Sequence, residues 1–318
     1  MSDLFSDRSL KPMLIGADAD PFDDPSYLYE MKWDGERCLA YLDPEEGVEL
    51  RNKRGDRMLP KVPELGRLHH QITKRCILDG ELVMLTDGKP DFASIQRRSL
   101  MSNRFKIELD ARQHPASYVA FDLLYCDGQP IMGLPLEKRK EMLASLVMEN
   151  DRVAVSRVIG GVGTAFFQLA REQELEGIVA KHRDSLYRPG QRTKEWIKIK
   201  NLQDDDFIVC GYIVKPDHHM VSIVVGQYDA QRRLVYRGHV TLGVGGDSFR
   251  LIQAQPKRTA SPFDDAVPSG HGNSNAVWIE PVLVCTVKYM QKTAAGGLRQ
   301  PVFKGLREDK LPTDCRIG

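Results

Sequence analysis

Glu30-Met31-Lys32-Trp33-Asp34-Gly35-Glu36-Arg37 is the stretch from which the rest of this chain can be read. It lies in a segment, Tyr27 to Leu42, that is rich in strand-forming residues. A lysine inside a hydrophobic strand is costly unless it has a task. As an ammonium it is no nucleophile; desolvation or neighbouring cations that lower its pKa make it one. A depression of two units corresponds to about 2.7 kcal/mol. Gly35 permits a tight turn after the strand. Arg37 is placed to discourage protonation of Lys32 and to hold a phosphate. The alternative is an exposed lysine on an edge strand, and K-x-D-G alone does not decide between them.

Working outward, three further segments put charge into apolar strands. Asp79-Gly80-Glu81 sits between Cys76-Ile77-Leu78 and Leu82-Val83-Met84. Two carboxylates there need a partner such as a ribose hydroxyl or a metal, or else they end the strand at a turn. Glu176-Gly177-Ile178-Val179-Ala180-Lys181 repeats the logic, with a carboxylate at the strand start and a lysine at its far end. Trp196-Ile197-Lys198-Ile199-Lys200 puts Lys198 and Lys200 on one strand face, where two cations repel unless they share an anion. A triphosphate suits them; a solvated face is the alternative.

Around these segments the chain reads as α+β. Val48 to Arg51, Cys76 to Leu85 and Tyr118 to Tyr125 are predicted strands, as are Glu176 to His182 and Trp196 to Lys200. Leu136 to Met148 and Gly163 to Gln173 are predicted helices, the second with Thr164 as its N-cap. Residues 1–25, rich in Asp and Pro, read as an extended lead-in. The pattern breaks at Asn201 to Asp206, so the boundary is set between domains 1–203 and 204–318. Beyond it, Phe207 to Val214, Met220 to Tyr228, Leu234 to Val240 and Val282 to Tyr289 are short strand candidates that suggest a small β-barrel. Gln255 to Asn275 reads as a loop.

Composition bounds the class. The 318 residues are 42% hydrophobic and 28% charged, which favours a folded chain over a disordered one. A net charge of +1 neither requires nor forbids a basic nucleic-acid face. Six scattered cysteines, without C-x-x-C pairs, read as reduced thiols of a cytoplasmic protein. There is no secretory leader pattern at the start and no apolar run near the length of a membrane span.

The order K-x-D-G, D-G-E, Phe121-Asp122, E-G-x-V-x-K and K-x-K, over about 170 residues, resembles the covalent nucleotidyltransferases: DNA ligases, RNA ligases and mRNA capping enzymes. The run Arg299 to Lys310, with its R-x-D-K core, resembles the last motif of ATP-dependent DNA ligases, and most of all the ligase domain of bacterial end-joining enzymes. The resemblance implies a nucleotidyltransferase (adenylation) domain with antiparallel sheets and flanking helices, followed by an OB-fold β-barrel. It implies that Lys32 attacks the α-phosphorus of ATP and passes AMP to the 5′-phosphate of nicked double-stranded DNA, which the 3′-hydroxyl then seals. Glu30 matches the reader of the adenine amino group, and Phe121 the aromatic that stacks on the base. Arg37 and Glu81 match positions near the ribose. Glu81 and Glu176 are the candidate ligands for Mg²⁺ or Mn²⁺. Lys198, Lys200, Arg307, Asp309 and Lys310 match phosphate and pyrophosphate positions. The chain departs from the family where an arginine is usual: Lys53 aligns there, with Arg51 and Arg54 as rivals. A capping-type guanylyltransferase, an RNA ligase and an inactive DNA-binding module are the other readings. The resemblance also implies a stand-alone monomer in the bacterial cytoplasm near the nucleoid, with a Ku-type end-binding partner and no membrane contact.

Four features are set aside. The His69-His70 and His218-His219 pairs point to opposite strand faces and make poor chelates. Gly160-Gly161-Val162-Gly163 lacks the G-K-[ST] ending of a phosphate loop and reads as a turn. Arg97, Arg98, Arg104 and Lys106 form either a DNA-facing patch or a solvated face.

Overall fold

A computed structural model describes residues 3–215, 220–270, 272–293 and 296–317. The chain divides into two compact units, Met1–Asn201 and Leu202–Gly318. Both mix strands with helices.

In the first unit the Tyr27 to Leu42 segment is two strands, Tyr27–Met31 and Glu36–Asp43, and they belong to different sheets. Lys32 therefore stands just past a strand end, not inside one. Gly35 makes the crossing: a Cβ there would lie 2.1 Å from the Leu82 carbonyl oxygen. The first sheet runs Leu14–Asp18, Arg192–Lys200, Gly177–His182, Tyr27–Met31, Val158–Gly160. The second runs Val153–Val155, Ser117–Cys126, Cys76–Val83, Glu36–Asp43, Gly47–Asn52. Pairing is antiparallel except at one edge of each sheet, where Leu14–Asp18 and Val153–Val155 run parallel to their neighbours. Parallel pairs need long crossovers, and the helix Leu136–Leu146 lies within the second one.

Side chains from both sheets meet in one cluster that includes Leu28, Leu39, Tyr41, Ile77, Leu124 and Trp196. The expected extended lead-in instead holds a short helix, Leu4–Asp7, and the strand Leu14–Asp18, and its Phe5 and Met13 are buried in the same cluster. The outer face of the first sheet is closed by the helix Gly163–Glu172, whose Phe166 and Ala170 pack on Tyr29, Ile178, Ala180 and Ile199. Its N-cap is Val162 rather than Thr164. The carboxylate that serves this end comes from Asp23, which accepts from the Thr164 backbone N–H at 2.8 Å.

The second unit holds a five-stranded antiparallel sheet in the order Leu234–Val240, Met220–Tyr228, Gln203–Lys215, Val277–Tyr289, Val302–Arg307. Phe207, Val209, Ile223, Val225, Val240 and Val287 form its core with Ile252 from the helix Gly246–Gln253. The two edge strands approach each other through an isolated parallel bridge between Leu242 and Val302. The acidic stretch at Asn201 to Asp206 is not a linker throughout: Asp204, Asp205 and Asp206 pair with Lys288, Val287 and Thr286. Between Gln255 and Asn275 the described residues carry a 3₁₀ turn, Asn273–Asn275, and an isolated antiparallel bridge from Lys257 to Ile279. His218-His219 lies outside the described residues.

Candidate active site

Residues paired directly across strands share a face. Glu30 pairs with Val179, Val179 with Lys198, Gly177 with Lys200 and Lys181 with Trp196. Glu30, Lys181, Trp196, Lys198 and Lys200 therefore look the same way, toward the second sheet. From that sheet Arg37, Asp79, Glu81 and Phe121 contribute to the same region.

At the strand exit, Lys32 Nζ lies 2.6 Å from Glu176 Oε1, and the Lys32 N–H donates to the Gly177 carbonyl at 2.9 Å. Burial raises the pKa of Glu176, and Lys32 opposes that rise. Burial lowers the pKa of Lys200, which Glu176 partly offsets. Lys198 pairs with Asp18 at 3.2 Å.

Glu30 is 2% exposed, and its Oε1 is held by two ammonium groups, Lys140 at 2.7 Å and Lys181 at 2.8 Å. Burial penalises its carboxylate, but the two lysines outweigh that and keep its pKa low. Lys181 is itself pushed down to about 8 by burial, with Glu30 opposing. Its ammonium lies 4.5 Å from the Phe121 ring centroid and 4.3 Å from that of Trp196. The Arg37 guanidinium also lies over Phe121, at 4.4 Å. Arg37 forms a bidentate pair with buried Asp79, with both contacts at 2.6 Å. The Tyr187 hydroxyl donates to the same carboxylate. Burial opposes the Arg37 charge, and Asp79 more than restores it, so its pKa is raised. Glu81 faces Arg37 across the strands. Burial pushes its pKa up to about 8 against the pull of Arg37 and Lys32.

Lys53 is exposed in the turn after Gly47–Asn52, where Asn52 Oδ1 accepts from the backbone N–H of Arg54 and Asp56. Arg51 instead pairs in register with Leu39, on the face that looks toward the first sheet, and contacts Glu49 at 2.7 Å. Arg307, Asp309 and Lys310 all lie in the second unit. Arg307 Nε and Nη2 donate to Asp309 at 2.7 and 2.6 Å, and Lys310 pairs with Asp206. The basic cluster at Arg97 is not one patch: Arg98 is fully buried on Glu64 and Asp110, while Arg104 is exposed and paired with Glu108.

Sequence reading missed Lys140 and Asp79 as partners and left Lys181 without a role. Lys140 had a signal, because it occupies the inward stripe of its helix with Leu136, Arg139 and Leu143. Among the described residues no three His, Cys, Asp or Glu side chains cluster as a ready metal cage. Glu81 and Glu176 fit a hard divalent ion as oxygen donors, and since burial raises the pKa of both carboxyls, a further cation beside them would favour their ionised forms. No helix among the described residues is long and apolar enough to cross a membrane.

The arrangement gathers lysines, an arginine, carboxylates and two aromatic rings between the two sheets of the first unit. Residues 15–200 match the family described as ATP dependent DNA ligase domain, and residues 217–310 match the ATP dependent DNA ligase C terminal region. The chain belongs to the ATP-dependent DNA ligase family. It is 31% identical over 300 residues to the SPbeta prophage-derived DNA ligase-like protein LigB of Bacillus subtilis (strain 168), covering 94% of this chain and 99% of that protein. It is 32% identical over 295 residues to the multifunctional non-homologous end joining protein LigD of Pseudomonas aeruginosa, covering 89% of this chain. The chain spans 34% of that protein, about a third of its length. The solved structure of mycobacterial DNA ligase D complexed with ATP and MES is 29% identical, covers 97% of this chain and 98% of that one, and superposes with a TM-score of 0.56.

Proposed function

We propose that this DNA ligase seals nicks between a 3′-hydroxyl and a 5′-phosphate in duplex DNA by way of AMP carried on Lys32. The observation that carries the reading is Lys32 itself: its Nζ sits 2.6 Å from Glu176, on the exit of the strand that bears Glu30. Lys32 Nζ, as the free amine, attacks the α-phosphorus of ATP; an N–P bond forms and the bond to pyrophosphate breaks. The 5′-phosphate oxygen of the nick then displaces Lys32, and the 3′-hydroxyl displaces AMP. Negative charge grows on the transferring phosphate, so Lys198 and Lys200 act chiefly by stabilising it. A divalent ion, Mg²⁺ or Mn²⁺, held by Glu81 and Glu176 would polarise that phosphate.

Glu30, fixed by Lys140 and Lys181, faces the adenine edge, and Phe121 carries the base. Arg37 is held toward the ribose by Asp79. Arg51 takes the role expected of Lys53, because it shares the inward face of its sheet and Lys53 does not. Arg307, Asp309 and Lys310 act on the leaving pyrophosphate. The two units serve as the two expected domains, 1–203 and 204–318. The second is read as an OB-fold, supported by its strand order and by the Leu242–Val302 bridge. End joining, a Ku-type partner, action as a monomer and a cytoplasmic location complete the proposal.

The test is intact-mass measurement after incubation with ATP or GTP and Mg²⁺ or Mn²⁺. A gain of one AMP from ATP, lost on adding nicked DNA as sealed product appears, is the expected result. A gain of GMP, or sealing of nicked RNA only, overturns it.

A further inference from the structure

Three donors in the second unit converge on one carboxylate. Thr286 Oγ1 donates to Asp206 Oδ1 at 2.7 Å, Lys310 Nζ donates to Asp206 Oδ2, and Arg307 Nη1 lies 3.6 Å from Asp206 Oδ1. The same Arg307 nitrogen is 3.4 Å from Thr286 Oγ1. The arrangement is fixed by register. Asp206 pairs with Thr286, and Thr286 pairs with Gly305, two residues before Arg307. Of three successive aspartates, Asp206 alone meets both cations; Asp205 lies instead near Tyr289 and Lys292. A lysine, an arginine and a hydroxyl around one anion form the donor set of a phosphate oxygen, and here an internal carboxylate takes that place.

We infer that Asp206 is an internal counter-ion that competes with pyrophosphate for Lys310 and Arg307, and so limits how tightly the enzyme holds the leaving group. The inference rests on the reading that these two cations act on pyrophosphate. With Asp206 in place, a phosphate must displace a partner before it gains these cations, so binding is weaker and release easier. Without the carboxylate, Lys310 and the far edge of Arg307 are available at once. Asp206 touches no reacting atom in this scheme and is a positioning residue.

The experiment is ATP–pyrophosphate exchange on the full chain, with the pyrophosphate concentration for half-maximal exchange as readout. Asp206→Asn is expected to lower that concentration by about three-fold, the size of one partly exposed ion pair. Asp206→Glu is expected to restore the wild-type value. In a Lys310→Ala background the effect of Asp206→Asn should shrink toward none. An unchanged or raised value in Asp206→Asn overturns the inference. Should Asp206→Asn not fold, Thr286→Val, which removes the hydroxyl orienting the carboxylate, is expected to lower the value by a smaller factor, and no fall there is likewise fatal. Arg307→Ala separates the two levels. If exchange is indifferent to it, the pyrophosphate reading fails and takes the inference with it. If exchange weakens while Asp206→Asn does nothing, only the counter-ion inference fails.

Discussion

The pocket of the first unit and the Arg307 to Lys310 segment of the second hold the same kinds of charge in opposite settings. Glu30, Asp79 and Lys181 are all 3% exposed or less, and each is fixed by at least one partner of opposite charge. The side chains of Arg307 and Lys310 are 35% and 39% exposed and pair with Asp309 and Asp206 near water. In the first setting a lost partner leaves a buried charge stranded, which is expensive. In the second, solvent takes over the missing partner's role. The buried site is therefore preorganised, and the exposed one is free to exchange partners.

The sharpest way to break this contrast is at its centre. Lys32→Ala is expected to abolish AMP attachment altogether, read by intact mass; an adenylated species in that variant would mean another nucleophile. Next in size, Asp79→Ala strands the Arg37 guanidinium and should cost about 3–5 kcal/mol of stability in chemical unfolding, as for one half of a buried pair. A change under about 1 kcal/mol would show that the pocket is wetter than its burial implies.

The third prediction concerns pH. The Glu81 carboxyl is pushed up to about 8 from an ordinary value of 4.5. Between those values the folded state binds more protons than the unfolded, so stability falls as pH rises through that window. Without divalent ion, Glu81→Gln should flatten that slope; an equal slope in both proteins places the titration elsewhere. The smallest effect on stability is expected for Arg307→Ala, which should leave the unfolding midpoint unchanged while slowing AMP attachment from ATP. A shift in the midpoint comparable to that of Asp79→Ala would erase the distinction between the two regions.

Several residues of the proposed site were legible because charge in or beside an apolar strand is conspicuous: Glu81, Lys198 and Lys200 lie within strands, and Lys32 and Glu176 stand just outside them. Partnerships were not legible, because they depend on register: Arg37 meets Asp79 only once Glu36–Asp43 lies against Cys76–Val83. Lys140 reaches Glu30 from a helix more than a hundred residues away. The helices Phe92–Leu100 and Arg104–Gln113 escaped notice because each buries only two residues, Ile95 and Arg98 in one, Ile107 and Ala111 in the other. Such narrow stripes carry little periodicity. Strands of three residues, Val153–Val155 and Val158–Gly160, are shorter than any alternation can mark.

The parallel pairing of Leu14–Asp18 with Arg192–Lys200 has a consequence for biosynthesis. The first strand of this unit has as its neighbour the last strand of the same unit. It must wait, unpaired, while some 170 residues are made, on the order of ten to thirty seconds at ordinary elongation rates. The Glu36–Asp43, Gly47–Asn52 and Cys76–Val83 strands can associate long before that. The sheet carrying Arg37 is then complete before the lysine pair arrives, and the proposed nucleotide site gains Lys198 and Lys200 last.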